Sequence, residues 1–501
     1  MRRVWLTLAL LVPLLIALTG TEARPAAART KVTFAFAEGV SAEDEAAVGE
    51  GIGLAQAAYP ANFGAGVEQA VSVEVRAPEV GFDGCGEDYY ASFQPVLGQD
   101  NNHPKEQDTK PVKGAVFFDE FYNTCMVRVT DHANEPPVDF ARNDYSRRQA
   151  FNADSSRFVT ISHDGYWHLY DGVTLEYLEV LRGPAGDSEI QWHPTDPNLL
   201  FYLPNTGGMV IYQYDIRDDS STIVGDFGRD DRDVPLPWPT AARVWTKSEG
   251  SPSADGRYWG FQVETGDFEP LGLMVWDRQT DEILGTWDFA EHGVGRPDHV
   301  SMSPSGEYIV PSWDGNAYGT TAFSRDFTQQ VKLHHKSEHS DLALLPNGHD
   351  AYVSVDYQSN AGDAFMVEIQ TGQKTVLFPT YLDGTATALH VSGKAFNRPG
   401  WILMSTYSTE PATHWLHNKL FAVELKADPT IVNLAHTHVV SNGYWSEPHA
   451  SVNRDFTRVI FNSNWDTGSD LDVDAYIVVL PNRVFQESSG VVKTFDAIPT
   501  S

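Results

Sequence analysis

Basic residues are scarce. The chain of 501 residues carries 35 Lys and Arg against 68 Asp and Glu, a formal net charge of −33. That balance excludes nucleic acid as a partner, because phosphate backbones require a basic surface. The same field repels polyanions at long range unless a local cation or basic group overrides it. Cysteine is nearly absent: only Cys85 and Cys125 occur. Two thiols cannot make a closed zinc site, and in an exported chain they are expected to pair as one disulfide. Beyond the first residues there is no apolar run long enough to cross a bilayer, so no integral membrane span is expected once a signal segment is removed. A phosphate-cradling glycine loop, a Gly-x-Ser-x-Gly elbow and a His-Glu-x-x-His helix are all missing. Nucleotide binding, serine hydrolysis and zincin chemistry therefore have no footing.

What is present is apolar and aromatic enough to fold. Hydrophobic residues make up 42% and aromatics 12% of the chain, which argues against disorder. Met1-Arg2-Arg3 followed by the apolar run Val4–Leu18 and small residues reads as a secretory signal over 1–28, and the destination as secreted or periplasmic. Residues 30–110 read as a small α/β appendage and linker: strands at 31–37 and 71–75, a capped helix from Ser41 to about Ala58, then a Gly/Asp/Asn/Pro-rich connection holding Cys85. Residues 486–501 form a C-terminal tail.

From 111 to 485 the chain repeats itself. A polar or histidine-bearing entry, a short strand, a tight Asn/Ser-Pro-Asp/Gly turn and further strands recur at Arg148-Gln149-Ala150-Phe151-Asn152, Glu189–Asp196, Glu249–Gly256, His299–Gly306, Asp341–Gly348, Ala388–Ser392 and Trp445–Asp455. A period of roughly 40 to 60 residues with three or four strands per copy is the pattern of β-propeller blades. The fold expected is all-β: a seven-bladed propeller, with strands before Arg148 completing the last blade. Three β-sandwich domains in a row are the second expectation. The turns resemble those of the WD40-like and TolB-type propellers, although no tryptophan-aspartate dipeptide recurs at regular blade ends.

Innermost strands of a propeller converge on a central funnel, so the entry residues meet there. They are Arg148, Glu189, Glu249, His299, Asp341, His390 and His449, with Glu338-His339 and Glu447 just upstream. Imidazoles and carboxylates on one axis suit a divalent cation, with manganese, zinc or calcium as candidates and His339, His390, Glu338 and Glu447 as ligands. A second grouping, Asp466, Asp470, Asp472 and Asp474, offers oxygens for calcium but lacks the loop glycine and closing glutamate of an EF-hand; a solvated acidic hairpin is the plainer reading. Tyr166-Trp167, Trp313, Tyr444-Trp445 and Trp465 are candidates for stacking on sugar rings or for packing.

Exported propellers with histidines in the funnel resemble the oligogalacturonate and ulvan lyases. That resemblance implies β-elimination on a uronate-containing polysaccharide or oligosaccharide, with a His or Lys base, in some members a Tyr acid, and a metal or Arg on the uronate carboxylate. Mapped here, His449 or His299 is the base, Arg148 the neutraliser, and Tyr145 or Tyr444 the acid. A full lyase motif is not matched. The rival expectation is a monomeric, non-catalytic propeller of the envelope or extracellular space that binds a protein or glycan.

Overall fold

Several of the turns that punctuate the repeats share one physical cause. In four of them a side-chain oxygen accepts the amide five residues on: Arg157 N donates to Asn152 Oδ1 at 2.9 Å, Tyr258 N to Ser253 Oγ at 2.9 Å, Tyr308 N to Ser303 Oγ at 3.2 Å and Arg458 N to Asn453 Oδ1 at 3.0 Å. Short polar side chains that replace a backbone partner in this way favour turns over continuing strands. Each turn therefore folds one innermost strand back onto the next.

The computed structural model describes residues 32–36, 71–75, 82–99, 109–135, 140–186, 188–229, 231–247, 249–408 and 414–485. The expected signal segment, the helix over 41–58 and the C-terminal tail lie outside the described residues. Two compact units are distinguished, one of residues 1–79 with 486–501 and one of 80–485. In the first, Val32–Phe36 pairs in parallel with Val71–Val75, a pairing that requires a crossover connection.

The second unit is a β-propeller. Among the described residues it has seven blades, each built on four antiparallel strands, with a further strand on blades six and seven. Blade one runs from Phe140–Arg142 to Tyr177–Val180, blade two from Ile190–Trp192 to Ser220–Asp226, and blade three from Arg243–Trp245 to Glu282–Asp288. Blade four runs from His299–Met302 to Gln330–His334, blade five from Ser340–Leu344 to Gln373–Pro379, and blade six from Ala388–Ser392 to Ile431–His436. Blade seven takes Ser451–Val452, Arg458–Ser463 and Val473–Val479 from the end of the chain and its fourth strand, Cys125–Arg128, from the beginning. Mixing the two ends in one sheet removes the open edges that a linear array would expose.

Blades pack face to face, so strands such as Arg458–Ser463 are buried along their whole length. The interface of blades two and three shows the content of these layers: Phe201, Val244, Trp259, Phe261 and Trp276 are all at most 2% exposed. Burying one such side chain contributes about 2–3 kcal/mol.

The Gly81–Lys113 connection differs from the expected linker. Glu87–Ser92 forms a short helix, and Val96–Leu97 adds a fifth strand to blade six. The reason is apolar anchorage. Tyr89 and Phe93 are buried, the Tyr89 hydroxyl donates to Val479 O at 2.6 Å, and Cys85 is bonded to Cys125 of the closure strand.

Candidate functional site

The entry to blade seven is shaped by Pro448. A residue before proline is pushed into the extended region, and Glu447 sits there with φ −66° and ψ 148°. His449 then takes a left-handed φ of 37°, which a non-glycine residue adopts only when neighbours hold it. They do: Asn143 Nδ2 donates to His449 O at 2.6 Å, and Asn143 and Asn462 bond reciprocally, N to Oδ1 at 2.7 Å and Nδ2 to O at 3.0 Å. The bend turns the imidazole inward and leaves it fully buried.

His449 there meets residues from other blades. Its Nε2 lies 3.3 Å from Glu447 Oε2, and His390 Nε2, from the innermost strand of blade six, lies 3.3 Å from the same oxygen. The rings of His390 and His449 are 4.5 Å apart and nearly perpendicular. Both nitrogens of His390 and Nε2 of His449 are buried without a hydrogen-bond partner. Orphaned buried nitrogens of this kind are costly unless something else engages them. Arg142 Nη1 donates to His449 Nδ1 at 3.3 Å as well as to Asn143 O at 2.9 Å and Asp144 O at 2.7 Å. A guanidinium only donates, so this contact makes Nδ1 of His449 the acceptor. Two imidazoles and one carboxylate within reach of a common point form a donor set suited to zinc or manganese with open positions remaining.

Around this trio stand further titratable groups. His339 stacks on His390 at 4.4 Å and donates from Nδ1 to Leu389 O at 2.8 Å, which leaves its Nε2 as the lone-pair nitrogen. Tyr145 lies over both His390 and His449, at 5.4 and 5.1 Å. Tyr407 stacks on His390 at 5.2 Å, and its hydroxyl faces the Glu447 carboxyl. Tyr444 packs against His449 and is 45% exposed at the mouth. Across the funnel His299 Nδ1 sits 3.3 Å from Asp298 Oδ2, and Glu249, Asp298 and His299 form a neighbouring cluster. Gly250 makes the close approach of blades three and four feasible there, since a Cβ on it would meet Val300 O at 1.8 Å.

Burial and charge set the protonation states. Desolvation, reinforced by the Arg147 charge, holds His299 and His339 below the ordinary imidazole range, and His390, which also faces His339 and His449, well below it. His449 is lowered by burial, Arg142 and His339. Burial pushes the Glu447 carboxyl up to about 7 against the opposing hydrogen bond from Tyr407. Burial also raises Tyr145 well above the phenolic norm, so it keeps its proton. The funnel is a nest of neutral bases with a protonated phenol over them.

Arg148, expected here as the neutraliser of a carboxylate, is engaged by its own neighbours. Arg148 bonds Asp144, donates to Ile190 O at 2.8 Å and lies over Trp167. The neighbouring Arg147 takes the central position instead: it is ion-paired with Glu249, bonded to Ser340 O and 5.3 Å from the Tyr145 ring. A one-residue shift in the irregular segment before the blade-one strand exchanges the two side chains. Glu338 is likewise outside the donor set, its carboxylate accepting from Gln358 Nε2 at 2.9 Å. Glu189 accepts from Thr246, and Asp341 from Lys394 and Gly393, lower in the channel. Tyr407 was missed because it ends the second strand of blade six and belongs to no entry motif.

The four aspartates after Trp465 do not form a calcium cage. Asp474 is taken by Arg128 at 2.7 Å, Lys110 at 2.9 Å and His132 at 3.0 Å. Asp470 accepts from Ser446 N at 2.6 Å, and Asp466 faces His438. Trp167, Trp313 and Trp465 are buried packing residues; Tyr444 and Trp445 remain near the mouth.

No protein-family model and no curated protein matches this sequence. Solved structures do resemble it. An oligogalacturonate lyase in complex with manganese superposes with a TM-score of 0.53 at 15% identity, over 79% of this chain and 100% of that one. An oligogalacturonate lyase from Vibrio parahaemolyticus gives 0.51 at 13% identity, over 74% and 97% of the two chains. At that identity the likeness establishes the propeller fold.

Proposed function

We propose that this propeller is a metal-assisted polysaccharide lyase that cleaves uronate-containing chains by β-elimination. The observation carrying the reading is the pair of buried histidines, His390 and His449, whose unpartnered nitrogens flank Glu447. The fold neighbour in complex with manganese supports it. The residues that would hold the cation are His390, His449 and Glu447. Bound there, a divalent cation supplies the Lewis-acid neutralisation of a uronate carboxylate that acidifies the proton beside it.

The chain's own residues perform the proton transfers. Asp298 accepts from His299 Nδ1 and so presents Nε2 of His299 as the base; His339, oriented by Leu389 O, is the alternate. Both are neutral near physiological pH, as a general base must be. Tyr145, kept protonated by burial, is placed to hand its proton to the leaving glycosidic oxygen. Arg147 is 3% exposed and acts through its field rather than by contact, holding the imidazoles unprotonated. Tyr444 and Trp445 at the mouth offer faces for a sugar ring.

A second reading follows from the rim. Glu249, Asp298 and Glu338 make the mouth acidic, and the central histidines are almost completely enclosed. Those features favour a propeller that holds a cation structurally and binds its partner elsewhere. One assay separates the two. Purified full chain supplied with manganese should generate the ultraviolet absorbance of unsaturated uronate from a pectate, ulvan or glucuronan panel. Metal binding with no absorbance on any of them would eliminate the lyase reading and leave the binding one.

A further inference from the structure

His334 closes the outermost strand of blade four, His335 follows it, and Asp356 closes the second strand of blade five. One ligand atom from each lies within 4.8 Å of the others. His334 is only 4% exposed, yet its Nε2 has no hydrogen-bond partner, and Asp356 Oδ1 is buried and equally unpartnered. Neither atom has any role in the funnel chemistry. The His334 ring is held by Phe365 at 5.1 Å and by His335 at 4.4 Å. Its backbone is fixed by the close approach of Gly319, where a Cβ would meet His334 O at 2.4 Å. The local arrangement is therefore rigid, with two orphaned polar atoms facing one gap between blades, and an exposed imidazole closing it from outside.

The contrast with His132, Asp472 and Asp474 is instructive. That cluster has one histidine and two aspartates, and Lys110 and Arg128 already neutralise its carboxylates. At Asp356 the only such neighbour among the described residues is Lys374, whose Nζ lies 3.3 Å from Oδ2 and is 43% exposed in its side chain. Oδ1 stays unclaimed.

We propose that His334, His335 and Asp356 form a second divalent-cation site, separate from the funnel, that takes a borderline ion of the zinc, nickel or copper type. Two imidazoles and one carboxylate oxygen select such ions over calcium or magnesium, which prefer all-oxygen ligands. Three protein ligands leave the remaining coordination to water. The segment from His335 leads directly into Glu338 and His339, and occupancy fixes its start. Lys374 opposes binding by placing a positive charge on the same carboxylate.

The test is zinc titration of the untagged full chain, with bound metal counted by elemental analysis after desalting. His335→Ala alters an exposed side chain, and Asp356→Asn is nearly isosteric. Each should lower the zinc stoichiometry by one equivalent relative to the wild type, whatever number the funnel binds. Lys374→Gln should keep the stoichiometry and tighten this site by roughly 5-fold or more, the loss of one like charge at short range. Unchanged stoichiometry in both ligand variants overturns the proposal, as does a Lys374→Gln chain whose zinc affinity does not rise. Because the readout is a difference in bound zinc, it is independent of whether the funnel proves catalytic.

Discussion

His339 and His390 stand on neighbouring blades, yet their rings lie 4.4 Å apart and only 23° from parallel. Two imidazoles can be stacked so closely in a buried place only while at least one is neutral, and burial with the Arg147 charge keeps both below the ordinary imidazole range. The funnel is thus preset for base chemistry by the same packing that closes the propeller.

Acid stability follows from that arrangement and from histidines elsewhere. His168, His334 and His414 are lowered by burial from 6.5 to about 4. For a group with a depressed folded value, the unfolded chain takes up the proton first. Stability is complete above about 6.5 and is lost as pH falls toward about 4. At 1.36 kcal/mol per unit each contributes at most about 3 kcal/mol over that window, and less after solvent screening. A plot of Tm against pH should be flat above neutrality and fall steeply below it, and His168→Asn should shallow the fall. An equal slope in that variant would count against the assignment.

Arg147 and Arg148 should separate in kinetics though both are structural. Removing Arg147 strips a positive charge from beside His299, His339 and His390, so their values rise. With Arg147→Met the acid limb of the pH–activity profile should move to higher pH. Arg148→Met should leave it in place. Both variants should lose about 3 kcal/mol in urea unfolding, because each leaves a buried carboxylate or carbonyl unpaired.

The Tyr407 hydroxyl faces the Glu447 carboxyl. Tyr407→Phe deletes one hydroxyl outside the donor set, and loss of such a supporting hydrogen bond typically weakens metal binding about 10–100-fold. Manganese affinity measured by calorimetry should fall by that factor while Tm hardly moves. Unaltered affinity would place Glu447 outside the metal site.

For the acid, Tyr145→Phe retains the ring over His390 and His449 and removes only the proton. Loss of a general acid should cut kcat by roughly 10²–10⁴-fold with little change in KM. A change confined to KM would demote Tyr145 to substrate binding.

The Cys85–Cys125 bond spans 40 residues and fastens the closure strand to the helix at Glu87–Ser92. Cys85→Ala with Cys125→Ala should cost about 2–5 kcal/mol of stability, seen as a lower urea midpoint under oxidising conditions and no difference from wild type under reducing ones.

The architecture was legible in the sequence because its determinants are local. Asn152, Ser253, Ser303 and Asn453 each bind an amide five residues on, and a periodic local contact leaves a periodic trace. The same periodicity pointed to His299, His390 and His449, since entry residues of inner strands must converge, and the two cysteines left one pairing. Tertiary structure alone decided which charges reach the axis. The irregular segment before the blade-one strand brings in Arg147 and turns Arg148 out, and no pattern in the chain records a one-residue twist. It also supplied Tyr407 from a strand end, directed Glu338 to Gln358, and dispersed the four aspartates among Lys110, Arg128, His132 and Ser446. For the Glu447-Pro448-His449 entry the sequence determined the bend, through the proline. What the bend is for depended on His390 arriving from the adjacent blade at 4.5 Å, a distance set by the packing of sheets and not by any residue within the motif.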